Sequence, residues 1–347
     1  WRSRLLLGGM VRHPHPLSSP VPRLLRPLLR QLERSLTAPT DPATPNAPDR
    51  PVFLLGLPGA GIELLGPALT AHPGTGHLNH AMNRYPEHPA GIEHLRRRLG
   101  LSCHLQLDSE HAGLRPEDPS LGVCLWSQWL GADPFSPEAP DADAWDTSRA
   151  NRLQHDLSGI LHGQAAPGRR FVSTAWFLTP WIEALDRLLP QARFLHVLRD
   201  PREAVPAYAA YCRRLGAWQR RFDWHRRDVT QPSGSPLLPY PRVPRLPDYL
   251  RQYEALDPRL LAHLWRDTQA LADAATDRGL AVLTLRFEDL LEHPEQTWQS
   301  VLSFCELEPA PLADDWSRLP GARRYAALPH SPWPARIEQI CAPGMRR

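Results

Sequence analysis

"VFLLGLPGAGIELLGPAL", residues 52–69, decides how this chain folds. An apolar run, Val52 to Leu55, leads into Gly56, Pro58, Gly59 and Gly61 and then into a helical pattern. That order is strand, glycine turn, helix. The Gly56-to-Gly61 spacing fits the first part of the phosphate-binding pattern G-x-x-x-x-G-K-[ST]. The second part is missing, because Ile62 stands at the lysine position and Glu63 at the hydroxyl position. The turn therefore predicts a backbone cradle for an anion without the side chains that usually complete one.

Composition narrows the rest. A chain of 347 residues suits one large domain or two ordinary ones. A formal net charge of +3 implies no strong nucleic-acid or membrane field. The chain has no lysine, so none can serve as base, Schiff-base former or phosphate clamp; we read this as GC-rich, bacterial-type coding. Forty prolines are roughly twice the ~5% average and predict long ordered loops. The five cysteines (103, 124, 212, 305, 341) are far apart and odd in number, which argues for reduced, buried thiols. No HExxH or CxxC spacing occurs, so no metal site is expected. No apolar stretch reaches the ~18 residues of a membrane span. The expectation is a cytoplasmic protein, with peripheral membrane association as the other possibility.

Along the chain, residues 23–36 place Leu25, Leu28, Leu29, Leu32 and Leu36 on one helical face. A helix docking on its own domain is the favoured reading; a partner-binding or membrane-surface helix is the minority one. A proline-rich linker (37–51) follows, so residues 1–50 read as an N-terminal arm and 51–347 as the main domain. Strands are expected at 51–56, 170–174 and 193–198, and residues 281–291 read as strand and turn. Helices are expected at 62–72, 181–190, from 202, at about 258–278 and at 294–307. Residues 73–150 show weak periodicity, and 228–248 read as a proline-rich insert. Strands alternating with helices predict an α/β, three-layer αβα sandwich on a central parallel sheet, with ligands beyond the strand carboxyl ends.

"FLHVLRDPREAVPAYAAY" (194–211) and "LTLRFEDLLEHPEQTWQSVLSFCEL" (283–307) follow the glycine turn in order, and "TAHPG" (70–74) follows the first helix. Together these blocks resemble the sulfotransferase family, from about Pro51 to the C-terminus. The resemblance implies a P-loop-like fold. It also implies a turn cradling the 5′-phosphosulfate of 3′-phosphoadenosine 5′-phosphosulfate (PAPS), and a strand–helix element holding its 3′-phosphate. Transfer of the sulfuryl group to a hydroxyl or amine would rest on positioning and charge neutralisation, as in phosphoryl transfer.

Carried onto this sequence, the resemblance assigns Gly59, Ala60, Gly61 and Ile62 to the cofactor cradle, with Arg199, Ala207, Arg323 and Arg324 at the 3′-phosphate. The departures are as informative. The family's Pro-Arg-Ser-Gly-Thr-Thr turn is Pro58-Gly59-Ala60-Gly61-Ile62-Glu63 here; its lysine in an Asp-Lys-Thr-Pro stretch is Ser173, and its serine eight residues after the arginine is Ala207. The acceptor-activating carboxylate falls near Asn79 or His80, and His80 is the candidate base, with an ordinary pKa near ~6.5. His77 and His80 are otherwise expected to be plain solvated histidines. Arg199 could equally pair with Asp200 or Glu203, Arg202 reads as structural, and Glu288 as a backbone cap.

Two functions survive this reading. One is a PAPS-dependent sulfotransferase with an altered loop. The other is a catalytically inactive relative, a binding or structural subunit whose partner meets residues 23–36 or the proline-rich loops. Losing one donor of a preorganised oxyanion site costs ~3–4 kcal/mol, so several losses favour the second. A nucleotide kinase is a distant third without the lysine.

Overall fold

The computed structural model describes residues 25–37, 49–100, 116–131, 147–165, 169–221, 240–312 and 335–345. It begins with helix α1 (Leu25–Thr37), then β1 (Val52–Gly56) and α2 (Ile62–Ala71). Next come β2 (Thr75–His77), α3 (His80–Arg84), α4 (Pro89–Arg98), α5 (Val123–Leu130) and α6 (Thr147–Gly163). Among the described residues, the stretch with little periodicity thus holds an edge strand, three helices and the start of α6. Strand β3 (Arg170–Ser173), a 3-10 turn (Trp176–Trp181), α7 (Ile182–Leu188), β4 (Arg193–Leu198) and α8 (Pro201–Arg221) follow. The chain continues through α9 (Leu246–Gln252), α10 (Pro258–Asp277), β5 (Val282–Arg286), α11 (Phe287–Glu292), α12 (Pro294–Phe304) and α13 (Ala335–Met345).

The five strands form one parallel sheet in the order β2-β3-β1-β4-β5, flanked by helices. Parallel neighbours cannot be joined by a tight turn, so each connection crosses over through helix. β1 is buried along its whole length, as expected for a central parallel strand, and pairs with β4 from Val52↔Arg193 to Gly56↔Val197. The crossover from β1 leads to β2 on one side of it, while β4 lies on the other. That reversal at the carboxyl end of β1 is where such sheets bind ligands. Residue 56 ends β1, so the glycine turn sits at the reversal.

Buried apolar side chains form two clusters. One runs from β1 through Trp126, Ile160, Phe171, Phe194 and Trp298; the other joins α8, α9, α10 and α13 through Tyr208, Tyr240, Leu261 and Trp265. Among the described cysteines, 212, 305 and 341 are buried free thiols, and burial pushes each up to about 12, away from the reactive thiolate. Strand β4 also carries His196 within the core, where burial pushes it down to about 4.

Helix α1 packs against α4 and α6, as its apolar face predicts. Leu29 is buried, while Arg26, Arg30 and Arg34 face solvent. Its Glu33 accepts hydrogen bonds from the backbone amides of Gly91 (2.6 Å) and Ala90 (3.3 Å). These are orphan donors at the start of α4, and a carboxylate suits both the amides and the helix dipole. Desolvation nevertheless dominates and pushes the Glu33 carboxyl up to about 7. Close approach here needs glycine, since a Cβ on Gly91 would lie 2.8 Å from the Leu29 carbonyl oxygen.

Candidate functional site

The turn between β1 and α2 is built by its glycines. Gly59 has φ 92° and Gly61 φ 112°, a region L side chains rarely adopt. Space forbids side chains there as well. A Cβ on Gly59 would sit 2.7 Å from Ala207 Cβ, and one on Gly61 would sit 2.3 Å from Phe287 Cδ2. The turn is therefore pressed between α8 and the Phe287 ring. The basic side chain that sulfotransferases carry at position 59 has no room while α8 lies where it does.

Glu63, in the first turn of α2, bends back so that its Oε1 accepts from the Gly59 amide at 2.8 Å. A carboxylate at this helix start is favoured by the dipole and by the backbone donor. Glu63 thus returns its own carboxylate to the glycine turn that precedes its helix. The cradle thus binds an anion, and the anion is its own side chain.

Arg199, just after β4, is 1% exposed. Its Nη1 donates to the Gly59 carbonyl oxygen at 3.0 Å, its Nε to Glu203 Oε2 at 3.0 Å, and its Nη2 to the same carboxylate. The guanidinium also stacks 4.5 Å from the Phe287 ring centroid. Trp265 Nε1 donates to the Arg199 carbonyl oxygen at 3.0 Å, which ties α10 to the same point. Arg199, Gly59, Ala207 and Phe287 therefore form one packed unit. Beside it, Glu288 accepts from the Asp200 amide at 3.0 Å, the capping role expected for it. Arg202 pairs with Asp200, as expected of a structural arginine. Burial would raise the Asp200 carboxyl, but bonds from the Arg202 side chain and amide outweigh it and hold the carboxyl below its usual value.

Beyond β2 lies a second polar group. Asn79 caps α3, accepting from the Met82 amide at 3.0 Å and donating to Glu93 Oε2 at 2.8 Å. Glu93, 2% exposed, takes a two-pronged pair from Arg96 at 2.7 Å on each oxygen. The His77 backbone is clamped by Gln164 at its amide and carbonyl. His77 and His80 are half-buried, not the solvated residues expected of a loop. Desolvation lowers both, against an opposing backbone bond from Glu117 for His77 and the Asp118 charge for His80. Burial thus favours the neutral form of His80 and makes its ring a weaker proton acceptor. Ser173, at the family's lysine position, is buried and its Oγ accepts from the Ala175 amide at 3.4 Å. Arg323 and Arg324 lie outside the described residues, as does Cys103.

Sequence reasoning missed the Phe287 wedge, the Asn79–Glu93–Arg96 network and three arginines at the opposite end of the sheet. Asn79 followed fourteen residues later by a glutamate carries no local signal. The arginines did, since Arg50, Arg170 and Arg193 each stand at or just before a strand.

Comparison with known proteins bears on this geometry. A model of the sulfotransferase family matches residues 51–233, more than half the chain and across both the turn and Arg199. This chain belongs to the sulfotransferase family. Sulfotransferase STF9 from Mycobacterium avium is similar in fold at 16% identity, covering 99% of this chain and 89% of that one with a TM-score of 0.51. STF1 from Mycobacterium tuberculosis H37Rv is 15% identical over 99% of this chain and 92% of that one, TM-score 0.47. The sulfotransferase domain from the curacin biosynthetic pathway is 13% identical over 86% of this chain and 98% of that one, TM-score 0.44. No curated protein sequence matches. The fold is P-loop-like α/β. The family generally uses PAPS; in this turn the Gly59 amide is taken by Glu63, and position 59 has no room for a side chain beside Ala207. Among the described residues, no group of metal-ligating side chains and no helix able to cross a membrane occurs.

Proposed function

We propose that this chain is a non-catalytic member of the sulfotransferase family, acting as a binding or structural subunit. One observation carries the reading: Glu63 Oε1 sits 2.8 Å from the Gly59 amide, in the anion cradle. A phosphosulfate entering that cradle meets a carboxylate, and like charges within a few ångströms repel strongly in a desolvated site. Arg199 offers no compensation while Gly59, Glu203 and Phe287 hold its guanidinium. The partner would meet the exposed arginine face of α1 or the proline-rich loops.

A second reading keeps PAPS-dependent transfer to a hydroxyl or amine, with His80 as base. The retained turn and the ordered family match from 51 to 233 favour it. There Glu63 swings out when donor binds. Titration calorimetry with 3′-phosphoadenosine 5′-phosphate separates the two. On the first reading the wild type shows no heat at millimolar ligand, and Glu63→Thr gains binding. Micromolar binding by the wild type would restore the transferase reading.

A further inference from the structure

The amino ends of the three central strands carry an arginine each: Arg50 just before β1, Arg170 opening β3 and Arg193 opening β4. Because β3, β1 and β4 are neighbours in the sheet, the three guanidiniums form a row. All three converge on the carboxylate of Glu306, just past α12. Arg170 and Arg193 also donate to the Glu306 and Phe304 carbonyl oxygens at the end of that helix. Asp49 provides the other nearby carboxylate, within 4 Å of Arg50 and Arg170, but its side chain is 74% exposed and water screens it. Three cations therefore face one well-placed anion. Desolvation first, and then the neighbouring charges of Arg50 and Arg170, lower the pKa of Arg193.

The backbone at this point is unusual too. Arg50 (φ 45°), Gln191 (φ 75°) and Glu306 (φ 50°) all take the left-handed conformation without being glycine, and Arg50 Nε donates to Gln191 Oε1 at 3.2 Å. Each such residue costs about 1 kcal/mol or more. A clasp between strands and helix would need only one ion pair. Here three arginines are held in a fan about one carboxylate, at the opposite end of the sheet from the glycine turn.

We propose that Arg50, Arg170 and Arg193 form a second anion site, which takes a tetrahedral oxyanion of the phosphate or sulfate class. Glu306 occupies part of it, and the incoming anion completes the charge balance. Guanidinium forks match oxyanions of this kind, and a tetrahedral dianion offers more acceptors than one planar carboxylate.

The test uses the full chain, titrated with inorganic phosphate and with sulfate at constant ionic strength against chloride. Wild type should bind both weakly but saturably. Glu306→Gln removes the internal competitor and should tighten binding roughly tenfold, while Arg50→Gln should weaken it by a similar factor. Arg50 is partly exposed and far from the turn, so its loss leaves the Gly59 cradle untouched. Equal affinity in wild type and Arg50→Gln, or no gain in a folded Glu306→Gln protein, would reduce the cluster to a clasp and overturn the proposal.

Discussion

Replacing Arg199 by alanine separates a strut from a ligand. A guanidinium kept for a phosphate is an excess charge in the empty site, and removing it should leave stability within about 0.5 kcal/mol, as for changes that break no structural contact. The geometry predicts otherwise. Arg199 is 1% exposed, and its Nη1 bond to the Gly59 carbonyl oxygen is charge-assisted, worth ~1.5–3 kcal/mol. Its stacking on Phe287 in a desolvated place adds up to ~2 kcal/mol. The ion pair with Glu203 adds less, since that side chain is 42% exposed and recovers water once released. Together these give a loss of about 2–5 kcal/mol. Arg199→Lys keeps the charge, loses the fork, and should fall between the two. Urea unfolding followed by tryptophan fluorescence measures this directly. A loss below about 1 kcal/mol in Arg199→Ala would mean that the guanidinium does not hold the turn, and the argument for a sealed cradle would go with it.

Other outcomes follow from the same structure. Gly61→Ala places a methyl 2.3 Å from Phe287 at φ 112°, so it should destabilise by about 2–4 kcal/mol in denaturant titration, more than strain alone would cost. His196 is neutral in the fold, with its pKa lowered to about 4, and takes up a proton at 6.5 once unfolded. Between those values the unfolded state binds more protons, so stability falls as pH drops below 6.5, by about 3 kcal/mol in all by pH 4. His196→Met should flatten that part of the stability–pH curve; an unchanged slope would assign the acid sensitivity elsewhere. Glu33→Ala removes the cap on α4 and should cost about 1–2 kcal/mol. It should also speed proteolysis between α1 and β1, and equal cleavage rates would show that α1 is held by its apolar face alone.

Much of the fold was legible because its signals are local. The apolar run 52–56, the glycine spacing and the strand 193–198 need no tertiary information, and β4 has the bounds its sequence suggests. Proline at the first turn of α12 marked that helix start in the same way. Much of the stretch 73–150 was opaque because its edge strand has three residues, α3 five and α5 eight, too few for a period to show. The pattern also placed Glu63 and Arg199 near one site. It could not choose between Arg199 as phosphate ligand and as partner of Glu203, since both readings use the same charge and the same i,i+4 spacing.

By itself, then, the sequence determined a parallel α/β sheet with a glycine turn at its reversal point, stripped of lysine and hydroxyls. Those features depend on which residues follow one another. Tertiary structure alone decided what fills the turn. The Glu63–Gly59 contact spans only four residues, but its meaning comes from α8 and Phe287 closing on the glycines from 140 and more residues away. The row of Arg50, Arg170 and Arg193 is likewise made by strand order, because β1, β3 and β4 become neighbours only when the sheet forms.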